Sequence, residues 1–142
     1  MDEAQRAHAV IENWEALGRA LALGFGGEVE DETRFFRFRS NLHSGFMNGV
    51  IRASVVPDEV PALIAGMRAW FPDGLPWRWV VGPGSGPDDL ADRLEAAGFE
   101  KRWPFMPCMT IDLADFDAAR WIPGDLQADE ALDASDLDAW LS

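Results

Sequence analysis

The apolar pattern of this chain changes period repeatedly, from the 3.6-residue repeat of a helix to the two-residue repeat of a strand and back, with glycine or proline at the changes. Val10, Trp14, Leu17 and Leu21 recur on one helical face, which predicts an amphipathic helix over about residues 3–23, ended by Gly24 to Gly27. In Thr33 to Arg39, Phe36 and Phe38 alternate with arginines as in a strand with one wet face. Asn41 to Gly45 reads as a turn and Phe46 to Val56 as a more buried strand, so the two runs predict an antiparallel hairpin. Pro57 ends it. Asp58-Glu-Val-Pro then opens a second helix, its acids and proline suited to a first turn, with a buried stripe of Leu63, Met67, Trp70 and Phe71. Trp77 to Val81 is a short strand, Asp88 to Ala97 a helix stopped by Gly98, and Lys101 to Leu113 one or two strands confined to edges or a bulge by Pro104 and Pro107. The order helix, strand, strand, helix, strand, helix, strand implies an α/β (α+β) domain with a mixed, largely antiparallel sheet and helices on both faces.

A chain of 142 residues suits one main domain that needs no disulfide or metal to hold its core. Its single cysteine, Cys108, excludes an intramolecular disulfide and sits in an apolar run that favours an inert thiol. The chain opens with an acidic Met1-Asp-Glu, and no apolar run approaches the roughly 18 residues of a membrane span, so the cytoplasm is the expected compartment. A net charge of −13, from 25 acids against 12 lysines and arginines, argues against nucleic acid and anionic membranes as partners. A cationic amine matches it better. The acids concentrate after Leu113: Asp115 to Ser142 holds eight against Arg120 alone, which divides the chain into a body, 1–114, and an acidic segment, 115–142.

Several motifs occur in an order and spacing that resemble a known family: Asn13-Trp14, Phe46-Met-Asn-Gly, Ala69-Trp-Phe-Pro, Trp79-Val-Val-Gly-Pro-Gly-Ser, Leu94-Glu-Ala-Ala-Gly-Phe and Met109-Thr-Ile-Asp-Leu. Together they are similar to the GNAT acetyltransferase family, and in particular to the N-terminal half of tandem GNAT proteins. The likeness covers about Ile11 to Leu113. It implies, for the complete protein, transfer of an acetyl group from acetyl-CoA to an amine. Arg120-Trp-Ile-Pro, followed by Ser135 and Asp138 spaced as a capping box, resembles the start of a second GNAT module.

Three departures from the family pattern qualify that expectation. The pyrophosphate loop that the resemblance places near Val55 to Pro61 reads Val-Val-Pro-Asp-Glu-Val-Pro, in which two prolines remove amide donors and two acids repel phosphate. The tyrosine that the family commonly carries four residues before the Gly-Phe pair is Leu94, and the chain has no tyrosine at all beside seven tryptophans and nine phenylalanines. No first strand precedes the first helix. This half is therefore expected to bind no acetyl-CoA alone and to act as a scaffold and wall of an amine-substrate channel, packed against a second GNAT module or a second copy. The alternative is a non-catalytic binding or dimerisation module.

Among individual residues, Phe46, Asn48, Trp77 and Trp79 are the candidate substrate pocket, with Asn48 open between a pocket-facing amide and a cross-strand or turn hydrogen bond. No catalytic residue is assigned. Gly82 to Pro87, between a strand and a helix, invites a phosphate-cradle reading; without a following Gly-Lys-Ser/Thr, and with Asp88 and Asp89 next, a tight turn with Ser85 as a helix cap competes with it. His43, in the predicted turn, is open between a catalytic and a surface role. His8 and His43 have no partners at metal-ligand spacing, so no metal is expected. Asp88, Asp89, Asp92 and Glu95 read as a solvated helix face with an Asp89–Arg93 pair.

Overall fold

The computed structural model describes residues 2–102. Helix α1 (Glu3–Gly24) begins where Asp2 and Gln5 cap each other: Asp2 Oδ1 accepts from the Gln5 amide and Gln5 Oε1 from the Asp2 amide, both at 2.8 Å. It ends in a Schellman motif. Gly26, at φ +67°, donates to the Leu23 carbonyl at 3.3 Å and Gly27 to that of Ala22 at 2.7 Å, which satisfies two terminal carbonyls. The buried face consists of Ile11, Gly18 and Ala22 with Trp14 and Leu21 beside them, so the predicted stripe is rotated and Leu17 is 42% exposed. Small residues set that rotation: a Cβ on Gly18 would lie 2.7 Å from the ring of Phe38. The helix rests on the sheet at its glycine.

The sheet runs β1 (Glu28–Glu32), β2 (Phe35–Arg39), β3 (Asn48–Ala53), β4 (Arg78–Trp79) in that order, antiparallel except for the β3/β4 pair. The predicted hairpin is the β2/β3 pair. Strand β1 corrects the expected element order. Four of its five residues are acids, a composition that argues against a strand, yet its register sets Glu28 opposite Arg39 and Glu30 opposite Arg37. Arg39 donates to Glu28 at 2.7 Å and Arg37 to Glu30 at 2.9 Å, while both guanidiniums lie over the Trp70 ring, 4.6 and 4.5 Å from its centroid. The arginine side of β2, expected to be wet, is thus partly roofed by the second helix.

Alternation along β2 and β3 divides the core into two layers. Phe36, Phe38 and Ile51 face α1; Val50 and Ala53 face α2 (Val60–Trp70) and α3 (Leu90–Ala96), where Val60, Ile64, Met67, Phe71, Leu90 and Leu94 complete the second layer. A bulge opposite Phe36 and Arg37 shifts the register so that both Ile51 and Arg52 reach the α1 side, where Arg52 meets Glu15 at 2.7 Å. Burial of Phe36 and Phe38 contributes about 3 kcal/mol each. A mixed, largely antiparallel sheet with helices on both faces is what the structure has.

Two further segments fix the second layer. A 3-10 turn at Pro57–Glu59 leads into α2, and α3 closes on another Schellman motif in which Gly98, at φ +89°, donates to Glu95 O and Phe99 to Leu94 O. The Leu94-to-Phe99 motif is therefore a helix stop. Helix α3 is shorter than expected at both ends. The predicted strands after Lys101 and the acidic segment 115–142 lie outside the described residues.

Candidate functional site

Asn48 at the start of β3 is fully buried. Its Nδ2 donates to the carbonyls of Leu42, Ser44 and Pro76 at 3.0, 2.8 and 3.0 Å, and its Oδ1 accepts from the Ser40 amide at 2.8 Å. These bonds join the 40–48 connection to the approach of β4 and use the whole amide. Asn48 is a clamp, which is the turn-bonding role and not the pocket-facing one. Trp77 and Trp79 belong to an aromatic cluster on the α2/α3 side: Phe71 stacks on Trp77 at 4.3 Å and Phe99 meets both indoles edge-on, at 5.3 and 5.9 Å. Phe46 lies apart from them, 47% exposed and 6.2 Å from the Trp14 ring. Among the described residues the ring of Phe46 thus neighbours Trp14, while Trp77 and Trp79 neighbour Phe71 and Phe99.

Between Trp77 and Trp79, strand alternation sends Arg78 to the opposite side. Its guanidinium carbon lies 4.2 Å from the centroid of Phe46 and 4.7 Å from that of Trp14, so the cation is stacked against rings from α1 and from the loop before β3. Gly49, its register partner, makes room: a Cβ there would lie 2.9 Å from the Arg78 carbonyl oxygen and 3.2 Å from its Cγ. Burial lowers the pKa of Arg78 from its ordinary value, and its Nε, like the Trp79 Nε1, is enclosed without a hydrogen-bond partner among the described residues. Arg19, Arg34, Arg37, Arg39, Arg52 and Arg93 each face a carboxylate within 3.0 Å, whereas Arg6 and Arg68 face none among the described residues. In a chain with twice as many acids as bases, Arg78 has no acid partner among the described residues. No family model, curated protein or solved structure matches the chain. Sequence reasoning missed Arg78 because its stacking partner Trp14 is far upstream; the one available signal was a lone cation inside Trp-Arg-Trp.

The remaining candidates are engaged locally. In Gly82 to Pro87 the Gly82 amide donates to Ser85 Oγ at 3.1 Å, Ser85 donates to the Gly82 carbonyl, and Gly86 donates to Ala53; the prolines carry no amide. Ser85 caps this turn and not the helix, and the amides of Gly82, Ser85 and Gly86 are engaged within the fold. His43 Nε2 is 2.8 Å from the Gly74 carbonyl, tying two loops together, and His8 pairs with Glu12 on the surface of α1. Among the described residues no group of three metal-ligating side chains exists, and no helix is long and apolar enough to cross a membrane. Cys108 lies outside them.

The predicted Asp89–Arg93 pair is present at 2.8 Å, and the hydrogen bond from Arg93 lowers the Asp89 pKa. A depressed carboxylate stabilises above its unfolded pKa and loses that contribution as pH falls through the folded value. Asp89→Asn should therefore give a small loss of thermal stability at neutral pH that disappears in acid, read from melting curves across that range.

The Val55 to Pro61 segment is hydrogen-bonded within itself and to its neighbours. The Val56 amide donates to Glu59 Oε2 at 3.4 Å and the Glu59 amide to the Val56 carbonyl at 3.0 Å; Arg34 is held by Glu59 and Arg93 reaches the Pro57 carbonyl at 3.3 Å. Leu94, where the family resemblance expects a tyrosine, is 5% exposed and packed in the α2/α3 core layer.

Proposed function

We propose that residues 2–102 form a non-catalytic GNAT-like module: a scaffold that holds no acetyl-CoA of its own and packs against a second module or a second copy of the chain. The closed 3-10 turn before α2 supports this reading, because the amides of Val56 and Glu59 are bonded within it and Pro57 and Pro61 have none to offer. The order of β3, α2, β4 and α3, with β3 and β4 parallel and adjacent, supports the GNAT-like part. Leu94 agrees with both, since its place in the core leaves a phenol there no cleft to serve. In the complete protein the module would help to wall a channel for a cationic amine, in keeping with the net charge of −13.

Calorimetric titration of the chain with acetyl-CoA is the test, and binding weaker than about 10 μM, roughly 7 kcal/mol, is expected. Tighter binding would show a cofactor site elsewhere and overturn the reading. Leu94→Tyr should gain no acetyl transfer to a panel of amines. It should also lose about 1–3 kcal/mol of stability, because the larger ring and its hydroxyl enter a filled layer. Turnover in this variant and not in the parent would mean that a working cofactor cleft is present.

A further inference from the structure

Helix α2 lacks the polar outer face that a solvated helix carries. Its exposed positions are Pro61, Ala62, Ala65, Gly66 and Ala69 with one cation, Arg68, and no acid occurs from Val60 to Phe71 in a chain that holds 25. A recess of about 420 Å3 lies on one side of the helix, lined by Val60, Ile64 and Ala65 together with Ala96 and Ala97 at the end of α3. Another, of about 380 Å3, lies on the side of β2, against Phe35, Val55, Leu63 and Met67. Both recesses are mainly apolar.

Charge singles out the same face. Arg68 and Arg93 line the first recess and Arg34 and Arg37 the second, which is four of the chain's 12 lysines and arginines against one of its 25 acids, Glu59. Arg34, Arg37 and Arg93 are tied to Glu59, Glu30 and Asp89. Arg68 is not neutralised in this way: it donates to the Ala97 carbonyl, lies 5.0 Å from the centre of the Phe99 ring, and faces no carboxylate among the described residues.

We propose that the outer face of α2, with the recess on either side of it, is the docking surface for an acidic, amphipathic helix of a partner protein. The partner is the one that the scaffold reading, on which this rests, requires. Side chains as short as those of Ala62, Ala65, Gly66 and Ala69 let a second helix come close, and its larger apolar residues then enter the recesses. Its carboxylates meet Arg68, with no acid on α2 to repel them. A basic partner would be drawn instead to the rest of the chain, which supplies the net charge of −13. Arg68 is already held by Ala97 and Phe99, so little side-chain freedom is lost when it pairs.

The probe is a peptide of about 18 residues with leucines at helical spacing on one face and glutamates on the other, titrated into the 142-residue chain and followed by backbone amide resonances. Saturable shifts centred on Ala65, Arg68 and Ala96 are expected, with a dissociation constant of about 100 μM, as for a small, transient interface. The same peptide with lysine for glutamate should leave those resonances in place. Polyglutamate of equal length, which has no apolar face, should bind at least about tenfold more weakly. Ala65→Glu and Arg68→Glu, both at exposed positions, should each weaken the acidic peptide about tenfold. Ala16→Glu, on the exposed side of α1, should bind it as the parent does. If Arg68→Glu fails to fold, Ala65→Glu still decides. No saturable shift, shifts centred on another face, or equal binding of the lysine peptide or by the Ala65→Glu variant would each overturn the proposal. Such a failure removes the docking face and leaves the acetyl-CoA result unchanged, whereas acetyl-CoA bound more tightly than about 10 μM removes the scaffold reading whatever the peptide does.

Discussion

Gly27→Ala should unfold the domain. A Cβ on Gly27 would lie 2.0 Å from the Arg39 carbonyl oxygen and 2.8 Å from the Ser40 Cα. Both are backbone atoms, so no side chain can swing aside. The backbone on either side is held as well, by the Gly27 amide on Ala22 and by the Glu28–Arg39 register that begins at the next residue. Relief therefore requires either breaking the end of α1 or detaching β1. A loss of about 4 kcal/mol or more is expected, a size reached only by strain of this kind and comparable with the whole stability of a small domain. Urea denaturation measures it. Gly66→Ala is the control, because nothing lies within 4 Å of a Cβ there and a helix-interior alanine should add about 1 kcal/mol. An unchanged midpoint for Gly27→Ala would mean that α1 does not hand over to β1 through this contact.

Asn48→Asp should be nearly as damaging at neutral pH and much milder in acid. The replaced amide nitrogen faces three carbonyl oxygens at 2.8–3.0 Å, so a carboxylate oxygen there would meet only acceptors, fully buried. The expected cost is about 3 kcal/mol or more. Its pH dependence follows from the sign of the shift: burial and the carbonyls raise the folded-state pKa of the introduced carboxyl above its unfolded value of about 3.9. The folded state then binds the proton more tightly, so the penalty is least below that pH and grows as pH rises towards the folded pKa. Asn48→Ala, which has no proton to bind, should lose stability without that slope. Parallel slopes for the two variants would show that the amide does not face the carbonyls as described.

The parts of the fold written in large side chains were legible from the sequence. Phe36 and Phe38 announced β2, the proline and acids before Val60 announced α2, and Gly98 announced the end of α3. What escaped was written in small or charged residues whose meaning depends on a partner. Gly18 and Ala22 mark the line on which α1 touches the sheet, and a search for apolar periodicity passes over both. Strand β1 looks like a solvated loop until Arg37 and Arg39 are set opposite its acids. The bulge that sends Ile51 and Arg52 to one side has no local signature. The candidate site divides in the same way: Asn48 was singled out correctly as unusual in an apolar strand, but its partners come from Ser40, Leu42, Ser44 and Pro76, and only the fold gathers them. Arg78 draws its meaning from Trp14, a residue brought to it by tertiary packing alone.

Strand β1 has a consequence for how copies of this protein can meet. It closes one side of the sheet, and its outer row of amides and carbonyls would ordinarily invite a neighbouring molecule to add a strand and start a fibre. Pairing two such strands would bring Glu28, Glu30, Asp31 and Glu32 of each molecule against the same four acids of the other. At neutral pH that repulsion guards the border of the sheet against runaway polymerisation, and the guard weakens when acid neutralises the carboxylates. Acid is therefore the condition under which this strand border should begin to recruit other molecules.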